Sequence, residues 1–144
     1  MATRVIDGWV NVTMGEVGRP DFLTRVAKDT FKQGDDFFRN YSVDEMLKIM
    51  DESGVEKAIL TTELSKPSEQ VLAFTDAHPE RFSIGAQLDP RGGMKTRRAL
   101  EKLARSQPVS LARVTPFLFD LPPNLSLIHI SEPTRPRLIS YAVF

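Results

Sequence analysis

The chain has no cysteine and only two histidines, His78 and His129, in 144 residues. The first absence excludes a disulfide framework and any thiolate metal site. The second leaves little material for histidine-based catalysis or metal binding. Charge of one sign is also lacking: 19 Lys and Arg balance 19 Asp and Glu. Neither a nucleic acid nor an anionic membrane is therefore expected as a partner. No apolar run approaches membrane-spanning length, and no signal peptide precedes the first strand, so a cytoplasmic location is the expectation. What is present, 41% hydrophobic and 26% charged residues, is the composition of a globular protein with one ordinary domain and one core.

Four runs have strand character: residues 4–12, 57–62, 83–88 and 109–114. The last three start 26 residues apart, and each interval holds one helical pattern. This βαβαβ rhythm predicts parallel strands with helices packed outside. Ser42 and Glu45 have the spacing of a capping box, Val43, Met46, Leu47 and Met50 follow helical periodicity, and Gly54 suits a left-handed C-terminal cap. A second helix is predicted to start near Pro67, bury Val71, Phe74 and Leu72, and stop before Pro79. A third runs from Met94 to Ser106 with Leu100, Leu103 and Ala104 inward. Its Lys95, Arg97, Arg98, Lys102 and Arg105 read as a solvated face rather than a phosphate site.

The opening strand, R-V-I-D-G-W-V-N-V, reads as buried because Val5, Ile6, Val10 and Val12 are β-branched. Strict alternation would put Asp7, Trp9 and Asn11 on one face. Between this strand and the capping box lies an insertion, residues 13–41, with a short helix predicted from Pro20 to Phe31. It follows a strand, so it belongs at the ligand-binding end of a parallel sheet. Phe31, Phe37, Phe38 and Tyr41 there either form a lid or pack over the sheet's end, and packing is the favoured expectation.

The rhythm breaks after Asn124. The last twenty residues, L-S-L-I-H-I-S-E-P-T-R-P-R-L-I-S-Y-A-V-F, have two prolines and no helical period. They resemble a peptide recurring at the ends of unrelated predicted proteins, produced by read-through from sequencing-adapter DNA. The alternative is a strand pair, Leu125–Ile130 and Leu138–Phe144. The expected organisation is thus a partial (β/α) unit over residues 1–124 and a non-native tail over 125–144, with His129 discounted as a ligand.

Several motifs carry a further resemblance. Val5-Ile6-Asp7 opens strand 1; Met50-Asp51-Glu52-Ser53-Gly54-Val55-Glu56-Lys57-Ala58-Ile59-Leu60 joins the first capped helix to strand 2. Ala77-His78-Pro79-Glu80-Arg81-Phe82 leads into strand 3, and Leu88-Asp89-Pro90 follows it. In order and spacing these resemble the amidohydrolase-related family, in the branch of aminocarboxymuconate-semialdehyde decarboxylase-like and resorcylate decarboxylase-like enzymes. The resemblance covers nearly all of residues 4–116.

It implies an α/β fold, the N-terminal half of a (β/α)₈ TIM barrel, since a whole barrel takes about 250 residues. It implies a parent enzyme that is a hydrolase of C–N bonds or a carboxy-lyase, acting on a small carboxylate, amide or ring substrate; this chain alone is expected to be inactive. A divalent metal, zinc or similar, is implied for the parent. The family's strand-1 H-x-H motif is replaced here by Trp9-Val10-Asn11. Indole is a donor only, so Asn11 is the remaining metal candidate on this strand, through a carbonyl oxygen. The other family ligands, and the catalytic residues, would lie beyond Asn124. Trp9 is read as an aromatic wall, a filler of the barrel mouth, or a mark of a non-catalytic relative that binds a small molecule or protein.

Thr62, Glu63, Gln87, Asp89, Arg113 and Thr115 fall near the expected catalytic end. Trp9, Arg113 and Thr115 are the substrate-binding candidates. Arg113 could clamp a carboxylate or pair with Asp89 or Asp120, while Asp89 suits a turn or cap and His78 a helix end. Half a barrel leaves an open sheet edge and an uncovered core face, so this chain alone is expected to be poorly soluble or to form a homo-oligomer. A doubly wound nucleotide-binding fold ranks last, because no glycine-rich phosphate loop follows a strand.

Overall fold

The computed structural model describes residues 5–115 and the backbone of 142–143. Four strands, β1 (Val5–Val10), β2 (Val55–Glu63), β3 (Phe82–Leu88) and β4 (Val109–Val114), pair in sequence order and all in parallel. The sheet curls into a half-barrel with helices alternating between its strands. These are α2 (Val43–Ser53), α3 (Glu69–Ala77) and α4 (Gly93–Ser106), while α1 (Asp21–Arg25) lies in the insertion. The two-residue β5 (Ala142–Val143) pairs antiparallel with β4, setting Val143 opposite Leu111. The rest of the segment after Thr115, including Asp120, His129 and the strand Leu125–Ile130, lies outside the described residues.

Strand alternation sorts the side chains. Ala58 and Leu60 of β2 and Phe82, Ile84 and Ala86 of β3 point to the helices, where Met46, Met50, Val71 and Phe74 meet them. Phe74 and Phe82 pack edge to face, with ring centroids 5.1 Å apart. The opposite, inner face carries Thr61, Gly85, Gln87, Leu111, Arg113 and Thr115, and the register pairs Gly85 with both Thr61 and Leu111 and Gln87 with Arg113.

The capping box at α2 is complete: Ser42 Oγ accepts from Glu45 N at 3.2 Å, and Glu45 Oε2 accepts from Ser42 N at 2.9 Å. Gly54 closes the helix at φ 69°, a left-handed conformation that favours glycine. Helix α3 starts later than Pro67 suggests, with Ser68 at the N-cap, because Ser68 N donates to Thr62 Oγ1 at 2.9 Å and fixes the turn there. In α4, Leu100 and Leu103 pack on the core as expected, but Ala99 joins them and Ala104 is exposed. The basic residues of α4 are exposed, and Arg97 pairs with Glu101 one turn on, at 2.9 Å.

The insertion is helical over 21–30, close to the expected bounds, but widens part-way. After α1, residues Val26–Thr30 widen into a π-helical turn, and Lys32 takes φ 57°. Phe31 and Phe37 stack at 5.2 Å, and Phe37 meets Phe38 edge-on. Phe38 is buried, and the insertion returns to the sheet through a bridge between Thr13 and Asn40.

Strand β1 corrects two expectations. It is exposed rather than buried, with Ile6 at 59%. Among the described residues it is the end strand of the sheet, with a neighbour on one side only. Nor does it alternate strictly. Asp7 aligns with Ala58 but Val10 with Leu60, so β1 carries one residue more than β2 over this stretch, the geometry of a β-bulge, while between Val5 and Ile6 the register shifts the opposite way. Asp7 and Val10 consequently share the helix side, lining a cavity of about 230 Å³ with Met46 and Met50. Trp9 turns to the inner face, and Asn11 follows the strand's end, exposed. Among the described residues, no helix is long and apolar enough to cross a membrane.

Candidate functional site

Arg113 lies near the carboxyl end of β4, on the inner face, with only 7% of its surface exposed. Its side chain crosses the sheet toward β1. Nη1 donates to Thr61 Oγ1 of β2 at 2.9 Å, and Nη2 donates to the Gly8 carbonyl of β1 at 2.8 Å. The side chain passes over Gly85 of β3, where a Cβ would meet Nη2 at an ordinary 4.0 Å but would crowd Ile59 Cγ2 at 3.1 Å. The guanidinium carbon then sits 3.6 Å from the centroid of the Trp9 ring, a close cation–π contact. Trp9 remains 56% exposed, so one face of the indole covers Arg113 while other parts of the ring stay open.

A second pair stands beside the first. Thr115 Oγ1 donates to Gln87 Oε1 at 3.0 Å, and both residues are buried. Gln87 Nε2 is buried with no hydrogen-bond partner. A buried amide N–H without an acceptor costs free energy of the order of 1–3 kcal/mol, so this one is an unmet demand for an acceptor.

Glu63, the register neighbour of Gln87 on β2, adds an exposed carboxylate at the same end of the sheet. Burial lowers the Arg113 pKa from its ordinary value, yet guanidinium stays protonated in proteins. Among the described residues no carboxylate pairs with it. Asp89, one expected partner, instead accepts from Arg91 N, Nε and Nη2, each at 3.0 Å. The Arg91 side chain, then its backbone N–H, holds the Asp89 carboxyl below its usual range. Asp89 thus caps the turn at Pro90–Gly92, as its position before Pro90 suggests. Asp120, the other expected partner, lies outside the described residues.

Of the four residues singled out in the sequence, the structure brings Trp9 and Arg113 into contact and sets Thr115 beside them through Gln87. Asn11 is exposed, and among the described residues no hydrogen bond joins it to this cluster. Thr62 faces the helices and receives Ser68 N. Glu63, the last residue of β2, is exposed. His78 caps α3 at the opposite end of the strands, with Nδ1 3.2 Å from Glu80 Oε1. Gln87 and Gly85 are the residues whose roles were underweighted. Their i, i+2 spacing on one strand face was visible, but their relation to Arg113 needed the register.

These residues do not fit a divalent cation at the end of β1. The position of the strand-1 ligand holds an indole stacked on a buried guanidinium, and a second cation there would be repelled. Among the described residues no group of three or more His, Asp or Glu could hold a metal. The donors on this face, guanidinium and carboxamide N–H, suit hydrogen-bond acceptors rather than a cation. No family model, no curated protein and no solved structure matches the chain.

Proposed function

We propose that the inner face at the carboxyl ends of β1–β4 is the carboxylate-binding part of a small-molecule site, and that the parent protein is an amidohydrolase-like hydrolase or decarboxylase. One observation carries the reading: Arg113 is a buried cation with no carboxylate among the described residues, roofed by a flat aromatic ring. A buried charge needs a counter-charge, and a planar carboxylate supplies it while stacking on Trp9. Position supports the reading, since parallel α/β sheets bind ligands at the carboxyl ends of their strands. The reaction class rests on the family resemblance of residues 4–116, which is analogy. The Trp9–Arg113 stack in place of a metal motif favours a second reading, a non-catalytic relative that binds the same kind of ligand.

Trp9 is the only tryptophan, so indole fluorescence reports on this site alone. Titration with benzoate is expected to change the emission saturably, and Arg113→Met to abolish the change. A flat titration, or one that Arg113→Met leaves intact, removes the carboxylate reading. Sequencing the source gene past codon 124 tests the enzyme. Four further βα units with histidines after strands 5 and 6 and an aspartate after strand 8 would support it. A genome-encoded tail that ends at residue 144 would favour the non-catalytic relative.

A further inference from the structure

The orphaned amide of Gln87 extends the proposed site. Gln87 is 5% exposed, its Oε1 is taken by the Thr115 hydroxyl, and both N–H bonds of Nε2 lack an acceptor. It is the register neighbour of Arg113 on the same face. The two donor groups are nevertheless not side by side. Arg113 leans down over Gly85 to the level of Thr61, whereas Gln87 stands two residues further along β3. Two residues of strand rise separate those levels by about 6.6 Å. One ligand oxygen therefore cannot serve both.

We propose that Gln87 is a second anchor, taking an uncharged carbonyl acceptor carried by the same planar ligand whose carboxylate meets Arg113. The inference rests on the carboxylate reading of Arg113 and names its substrate class: a flat carboxylate with a ketone, aldehyde or amide oxygen several bonds away. A carbonyl suits Nε2 because it accepts only. A ligand hydroxyl would bring a donor of its own needing a further partner. Gln87 sets specificity here, because a ligand without the acceptor leaves the buried N–H as orphaned in the complex as in the free protein.

The test uses two isosteric probes. The ring of 3-acetylbenzoate carries a ketone oxygen across from the carboxylate, and 3-isopropenylbenzoate puts a CH₂ group in its place. Calorimetric titration of the full chain is expected to favour 3-acetylbenzoate by roughly tenfold or more, from one recovered hydrogen bond. Gln87→Met should erase that preference. The probe pair on the native chain decides the matter even if Gln87→Met fails to fold. Equal binding of both probes, lost in Arg113→Met, overturns the role of Gln87 and leaves the carboxylate site standing. Binding of neither probe overturns both.

Discussion

Arg113 and Trp9 join the fourth strand of the sheet to the first: the guanidinium lies 3.6 Å from the indole centroid and hydrogen-bonds the Gly8 carbonyl next to it. Hydrogen bonds of the parallel ladder hold each strand only to its neighbours. This contact spans all four and ties the exposed edge strand back to the sheet. A double-mutant cycle of Trp9→Leu and Arg113→Met, read by urea denaturation, should return a coupling of about 0.5–2 kcal/mol. Additive losses would mean that the stack contributes nothing to stability.

Gly85 lies under that span, against Ile59. Gly85→Val places new atoms against Ile59 Cγ2 and in the path of Arg113. The expected loss is about 1–3 kcal/mol of unfolding free energy, with an altered Trp9 emission as the guanidinium is displaced. An unchanged emission spectrum would show that Arg113 reaches Trp9 by another route.

The capping box gives α2 a pH dependence. The Ser42 backbone N–H, and then its hydroxyl, lowers the Glu45 pKa below the ordinary carboxyl value. A carboxyl whose folded pKa is depressed contributes stability above its unfolded pKa, and that contribution disappears as pH falls through the folded pKa. Glu45→Gln should therefore be less stable than the native chain at pH 7, with the gap closing on acidification below the usual glutamate range. Ser42→Ala, which removes the cap itself, should cost about 1 kcal/mol. A Glu45→Gln difference independent of pH would assign the effect to shape rather than charge.

Strand β1 offers an unprotected edge, with Val5 and Ile6 exposed. Such edges recruit other strands, and a lysine is a common natural block. The chain should self-associate in sedimentation velocity runs, and Ile6→Lys should shift the population toward monomer. A native chain that sediments as monomer and melts in one sharp transition would contradict this.

Much of this fold was legible in the sequence because its signals are local. The capping box, Gly54, the spacing of Val71 and Phe74 and the even strand interval depend on neighbours within a few residues, and each is realised. Strand β1 was misread because burial is not local: β-branched residues suit a strand equally at an edge and in the middle. The grouping of Asp7 with Trp9 failed for another reason. Alternation presumes a regular ladder, and Asp-Gly-Trp breaks it locally: Asp7 Oδ1 accepts from Trp9 N at 3.0 Å, and a glycine inside a strand often marks a bulge. The cluster around Arg113 was half legible. Strand ends supplied the residues, but the missing side chain of Gly85 and the orphaned amide of Gln87 acquire meaning only once strands are set side by side.

The surplus residue in β1 makes Gly8 an unusual kind of position. A methyl group built there touches nothing within 4 Å, so alanine should be accepted without notice. Removing the residue is another matter. The register passes over Gly8 between Asp7 and Val10, and the Gly8 carbonyl is the one Arg113 takes. With the residue gone, the ladder would run evenly from Asp7 to Val10, the opposite shift at Val5 and Ile6 would be left uncompensated, and the guanidinium would lose an acceptor. What this position encodes is therefore length rather than chemistry. A scan of substitutions would pass it by, and only a scan of deletions would find it.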